Sequence, residues 1–142
     1  MSGLAVVLAI LGLFPYMSGH NRQCIVDRQV RIAEQLEETV RMGVPVLVMA
    51  AVAFQETHLG CDRGEGGGWG APIDRFHRHT AGTHVQAAQS LVNGMGACGS
   101  WEGAVIRFRT GACDPRGGPG PAYGRAVMNL AGRIEAWRPR VR

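Results

Sequence analysis

The spacing of apolar positions divides this chain into helices separated by glycine-rich loops. From Arg22 to Met42, residues Val26, Val30, Ala33, Leu36 and Val40 recur at helical spacing, with Arg and Glu on the other face. Gly43 fits a C-terminal stop and Pro45 a first-turn residue, so one helix is predicted to end here and another to begin. The stretch Val44 to Gln55 is apolar on nearly every face, which predicts a buried core helix running to about His58 and ending near Gly60. Cys61 to Gly82 is glycine-rich and reads as a loop, with room for a short hairpin. Thr83 is placed to cap a helix holding Val85, Ala88, Leu91 and Val92. Ser100 is placed to cap the next, with Trp101, Ala104, Val105 and Phe108 inward and Gly111 as its stop. Asp114 to Pro121 is a Pro/Gly loop. Ala122 to Trp137 predicts a last helix, with Val127, Leu130 and Ile134 on one side. The pattern contains no internal repeat. The predicted fold class is mostly α: one helical domain with a long Gly-rich loop.

Near its start the sequence carries Gly3 to Phe14, an apolar run that resembles the core of a secretion signal. It is short for a spanning helix, which needs about 20 residues. No Lys or Arg precedes it and no small-x-small cleavage site follows, so a retained helix that packs in the fold or contacts a membrane stays open. The domain reading is 1–19 as a signal-like or anchor segment, 20–138 as the folded domain and 139–142 as a basic tail.

Composition narrows the class. At 142 residues the chain suits one domain with a single core. With 46% hydrophobic and 18% charged residues, wholesale disorder is excluded. The net charge is +4, carried entirely by Arg, which favours anionic partners such as nucleic acid, acidic lipids or cell-wall polymer. No basic block with interleaved aromatics supports nucleic acid. The four cysteines, Cys24, Cys61, Cys98 and Cys113, lie outside any CxxC motif, which favours disulfides in an exported protein over zinc. Three pairings are open. Cys98 with Cys113 would staple one helix, and Cys24 with Cys61 would tie the first polar helix to the loop after Glu56.

Glu56 carries the candidate chemistry. It closes the apolar helix just before the glycine-rich loop. Desolvation at such a position disfavours the charged form of a carboxylate, which suits a general acid. The bland alternative is a half-exposed carboxylate at a helix end. Asp62, Glu65 and Asp74 follow in the loop as candidate second carboxylates, with solvated loop charge as the alternative. His58, His77, His79 and His84 form no ligand motif, and no metal or cofactor is expected. The loop Gly64 to Gly70 lacks the Lys-Ser/Thr ending of a phosphate-binding loop.

Taken in order, the pieces from Val44 to Trp137 resemble the lysozyme superfamily, specifically the soluble lytic transglycosylases and goose-type lysozymes. The helix ending in Glu-Ser in that family reads Ala53-Phe54-Gln55-Glu56-Thr57 here. The loop motif Gly-x-x-Gly-x-x-Gln is matched by Gly67-Gly68-Trp69-Gly70-Ala71-Pro72-Ile73, with Ile73 where Gln belongs. The Ala-rich helix is Val85-Gln86-Ala87-Ala88-Gln89-Ser90-Leu91. Arg107-Phe108-Arg109-Thr110-Gly111 stands for Ala-Tyr-Asn-x-Gly, and Tyr123-Gly124-Arg125-Ala126-Val127 for Tyr-x-x-x-Val.

The resemblance implies a lysozyme-like α+β fold that cleaves the bond between N-acetylmuramic acid and N-acetylglucosamine in peptidoglycan. Glu56 would be the general acid and base, and Thr57, Trp69, Gly70, Ile73, Phe108, Arg109, Gly111 and Tyr123 would line the substrate site. Asp74 would be the second carboxylate to test. Trp69 would stack on a sugar or pack over the core. Thr57 would hold Glu56 or cap its own helix. Arg109 would contact a stem-peptide carboxylate or lie solvated. A goose-type hydrolase, or a non-catalytic wall-binding module on the same fold, is the alternative, since the Gln and Tyr-Asn are lost. The expected partners are peptidoglycan strands in an exported, bacterial or phage setting, including secretion, conjugation or phage machinery.

Overall fold

The computed structural model describes residues 1–62, 68–69, 82–113 and 118–140. Among them are seven helices and no strand, so the fold is mostly α: α1 (Gly3–Leu13), α2 (Gly19–Asp27), α3 (Gln29–Arg41), α4 (Val46–Thr57), α5 (His84–Cys98), α6 (Trp101–Thr110) and α7 (Gly120–Ala136). The hairpin expected after Cys61 falls on residues outside those described.

Helix α4 is the centre of the molecule. Met49, Ala50, Ala51, Val52 and Ala53 are fully buried, as a helix without a polar face requires. Helices α1, α3 and α7 surround it. Helices α5 and α6 form a hairpin, with α6 against α7 and α5 against α3. The sequence caps behave as read. Thr83 and Gln86 make a reciprocal capping box on α5, and the Ser100 hydroxyl accepts from the Gly103 N–H at the start of α6. Gly111 ends α6 in the left-handed region at φ 87°.

Two features differ from the sequence pattern. The predicted helix from Arg22 to Met42 is two helices, broken at Arg28 (φ −105°, ψ 12°). The break answers two demands on one run of chain. Helix α2 is tied to the turn after α4 by the Cys24–Cys61 disulfide and by Asn21 Nδ2 donating to Asp62 Oδ1 at 2.9 Å. Helix α3 packs on α1 and α4 instead, so its axis cannot continue that of α2. The last helix also starts two residues early, at Gly120, because Pro121 suits its first turn.

The apolar N-terminal run forms α1 and shares one hydrophobic core with the rest of the chain. Val6, Val7 and Ile10 are fully buried, each such side chain contributing about 1.5–3 kcal/mol relative to exposure. The Trp137 ring lies over Gly12 so closely that a Cβ there would overlap it. None of the described helices is long and apolar enough to cross a membrane.

Both disulfides join the pairs suggested by spacing, Cys24–Cys61 and Cys98–Cys113, with Cα atoms 5.8 and 5.4 Å apart. Thiols held in pairs of this kind fit an oxidising compartment.

Candidate functional site

Three helix ends converge on Glu56. The carboxylate comes from the last turn of α4, Arg109 from the last turn of α6 and Tyr123 from the first turns of α7. The close packing of α7 on α6 is set at Gly124, where a Cβ would come within 2.8 Å of the Ile106 side chain. A larger residue there would push Tyr123 away from α6.

The Tyr123 hydroxyl donates to Glu56 Oε1 at 2.6 Å, across 67 residues of sequence. The other oxygen, Oε2, lies 3.7 Å from Arg109 Nη1. The Arg109 guanidinium also sits 5.6 Å from the centre of the Tyr123 ring, within cation–π range. Exposure grades across the cluster: the Glu56 side chain is 14% exposed and that of Arg109 53%. Burial pushes the Tyr123 phenol well above the usual tyrosine range. The charge of Glu56 and the hydrogen bond to it act in the same direction, and Arg109 opposes them. Tyr123 is therefore a neutral donor throughout the physiological range.

The turn after Glu56 is closed in an uncommon way. His58 and Leu59 both have positive φ, at 50° and 59°, followed by Gly60 at 81°. The Leu59 N–H reaches back to the Ala53 carbonyl at 3.1 Å, one residue further than the 6→1 closure of a Schellman end. Left-handed backbone at a non-glycine residue costs about 1–2 kcal/mol. Leu59 holds it because its side chain is fully buried and Cys61 is tied to α2. His58 packs edge-on against Phe54 and lies 2.8 Å from Asp62 Oδ1, an ion-pair distance without hydrogen-bond alignment.

Thr57 and Trp69 lie inside the fold rather than on an open wall. Thr57 is 2% exposed. Its hydroxyl donates to the Gly68 carbonyl at 2.7 Å and accepts from the Gly60 N–H at 2.9 Å, so it fastens the loop and the turn to each other and makes no bond to Glu56. Trp69 is fully buried and packs beside the His84 ring at 5.6 Å, the core placement, not a sugar platform. Its backbone N–H donates to the Gly82 carbonyl at 2.7 Å, while the buried indole N–H has no partner among the described residues. Phe108 is half-buried against the core, and Gly111 is the exposed cap of α6. Gly70, Ile73, Glu65 and Asp74 lie outside the described residues, as do His77 and His79. Asp62 is committed to Asn21 and His58.

The sequence pattern did not anticipate the pairing of His84 Nε2 with Glu38 Oε2 at 2.8 Å. That pair lines a surface groove of about 840 Å³ with Asp27, Arg31, Glu34, Gln35 and Arg41. The groove carries both acidic and basic side chains, and Glu56 takes no part in it. A single partly buried carboxylate with a neutral donor on one oxygen is the better seat for proton transfer. Among the described residues no group of three or more His, Cys, Asp or Glu side chains is arranged to hold a metal ion. Comparisons with known protein families, with curated proteins and with solved structures return no match.

Proposed function

We propose that the chain is an exported peptidoglycan-cleaving enzyme of lytic transglycosylase type, with Glu56 as both general acid and general base. The observation that carries the reading is the 2.6 Å hydrogen bond from Tyr123 to Glu56. It joins two residues singled out by the resemblance and fixes the carboxylate with one oxygen engaged. The second oxygen, Oε2, has no hydrogen bond among the described residues and faces Arg109 at 3.7 Å. The order of motifs from Val44 to Trp137 and the two disulfides support the same reading.

In the first step, protonated Glu56 gives its proton to the oxygen linking N-acetylmuramic acid to N-acetylglucosamine, and the bond from muramyl C1 to that oxygen breaks. In the second, the Glu56 carboxylate takes the proton of the muramyl C6 hydroxyl, and O6 closes onto C1. Atoms balance without water, the product is a 1,6-anhydro sugar, and Glu56 returns to its protonated form. Tyr123 keeps Oε1 in place while the proton leaves and returns, a positioning role.

The test is digestion of purified peptidoglycan by wild type and Glu56→Gln, read by mass spectrometry. Anhydro-ended fragments from wild type alone are the expected result. Reducing-ended fragments would identify a hydrolase. A folded wild type that releases nothing would remove the enzyme reading in favour of a wall-binding module.

A further inference from the structure

We propose that Arg109, held over the Tyr123 ring, is a carboxylate-binding subsite beside Glu56, so that the protein selects glycans bearing a free carboxylate. The inference rests on the glycan-cleaving reading of Glu56 and names the substrate feature that reading leaves open.

The first relevant feature is distance. At 3.7 Å, Arg109 Nη1 is within ion-pair range of Glu56 Oε2 but beyond hydrogen-bond reach. A pair this loose, with the guanidinium 53% exposed, is screened by water and easily exchanged for a better partner. The second is restraint. The Tyr123 ring at 5.6 Å holds the guanidinium at the mouth of the site through its π-face and uses none of its N–H donors. Among the described residues those donors have no hydrogen-bonding partner. A planar fork of five N–H groups, restrained and unspent, matches a carboxylate through two parallel bonds. The third is sequence. The resemblance places a neutral Asn at this position, and an amide cannot pair with an anion as an arginine does, so this chemistry belongs to the present chain. A bound anion would also neutralise the cation that faces Glu56.

Two sources could supply the carboxylate: the lactyl group of peptide-free muramyl glycan, or the stem peptide of substituted glycan. Binding is measured with Glu56→Gln, which removes turnover, against three chains of equal sugar number. They are peptide-free muramyl glycan, peptide-substituted glycan and a neutral N-acetylglucosamine oligomer. The expected result is binding about tenfold or more tighter for at least one carboxylate-bearing chain than for the neutral one. The tighter of the two identifies the source. Adding Arg109→Gln should abolish the difference, and Arg109→Lys should restore part of it, since a point charge lacks the fork.

Equal affinity for the neutral chain, discrimination that survives Arg109→Gln, or no binding to any chain would overturn the subsite. The two readings separate cleanly. Wall cleavage by wild type without discrimination would overturn the subsite alone. Discrimination without cleavage would overturn the enzyme and leave the subsite.

Discussion

Glu56 and Glu38 are both glutamates at the surface of a helical core, and each meets a partner from far along the chain, 67 and 46 residues away. They are held in different ways. Glu38 is 48% exposed and pairs directly with His84 at 2.8 Å. The hydrogen bond and charge of His84 hold its carboxyl below the usual range. Glu56 is 14% exposed, bonded by a neutral hydroxyl, with its cation beyond hydrogen-bond reach. An exposed carboxylate paired with an imidazole, an ion pair only when that ring is protonated, is a screened surface contact with little else to do. A sheltered carboxylate fixed by a neutral donor keeps one oxygen for chemistry.

The largest expected effect separates the two glutamates by function. Glu56→Gln should lower muropeptide release by about 10²–10⁴-fold, the range for losing a general acid–base group. Glu38→Gln should leave release unchanged. Rates from the two variants on one wall preparation check this, and a comparable loss in Glu38→Gln would break the distinction.

The next effect lies in the frame that holds Glu56. Replacing Cys24 and Cys61 by Ser should destabilise the fold by about 4 kcal/mol, and replacing Cys98 and Cys113 by about 3 kcal/mol, from loop-closure entropy over separations of 37 and 15 residues. Only the first pair also fastens the left-handed turn after Glu56. It should therefore lose activity at temperatures where the second pair variant, still folded by circular dichroism, retains it.

A smaller effect comes from the neutral donor. Tyr123→Phe leaves Glu56 Oε1 without its hydroxyl partner and should cost about 1–3 kcal/mol, with activity falling roughly tenfold or more. Its pH signature has a definite sign. The folded phenol titrates above its ordinary value of 10.0, so the native state holds its proton where the unfolded chain has lost it. That contribution is fully present below pH 10 and is lost as pH rises beyond it. Urea unfolding of wild type and Tyr123→Phe should therefore converge in stability above about pH 10. A gap that stays constant would assign the loss to packing instead of the hydrogen bond.

Much of the fold was legible because helix spacing, Thr83, Ser100, Gly43 and Gly111 act locally, and local signals survive folding. The continuity of α2 and α3 was misread because the break at Arg28 is imposed by a disulfide and by α1, neither of which leaves a periodic mark at that position. At the site, Glu56 was visible as the end of an unbroken apolar run, and Tyr123 through the order of motifs. Their contact was not, since nothing in either segment encodes which helix ends meet. Trp69 reads equally well as a sugar platform or as core in sequence. Its burial depends on Thr57 gripping the neighbouring Gly68 carbonyl, and on His84 arriving from another helix.

The smallest expected effect tests the exposed half of the comparison. Because the folded carboxyl of Glu38 is lowered from 4.5, its contribution is present above that pH and fades as pH falls through the folded value. At half exposure in water, salt should screen the pair over about 8–10 Å. Glu38→Gln should then shift the urea midpoint measurably only at low ionic strength, and the shift should fade as pH falls through the lowered folded value and vanish in high salt. Tyr123→Phe should keep its effect in high salt, because a neutral hydroxyl donating to a sheltered oxygen is little screened. If salt erased both differences alike, the shelter around Glu56 would be no better than that around Glu38, and the case for proton transfer at Glu56 would lose its physical basis.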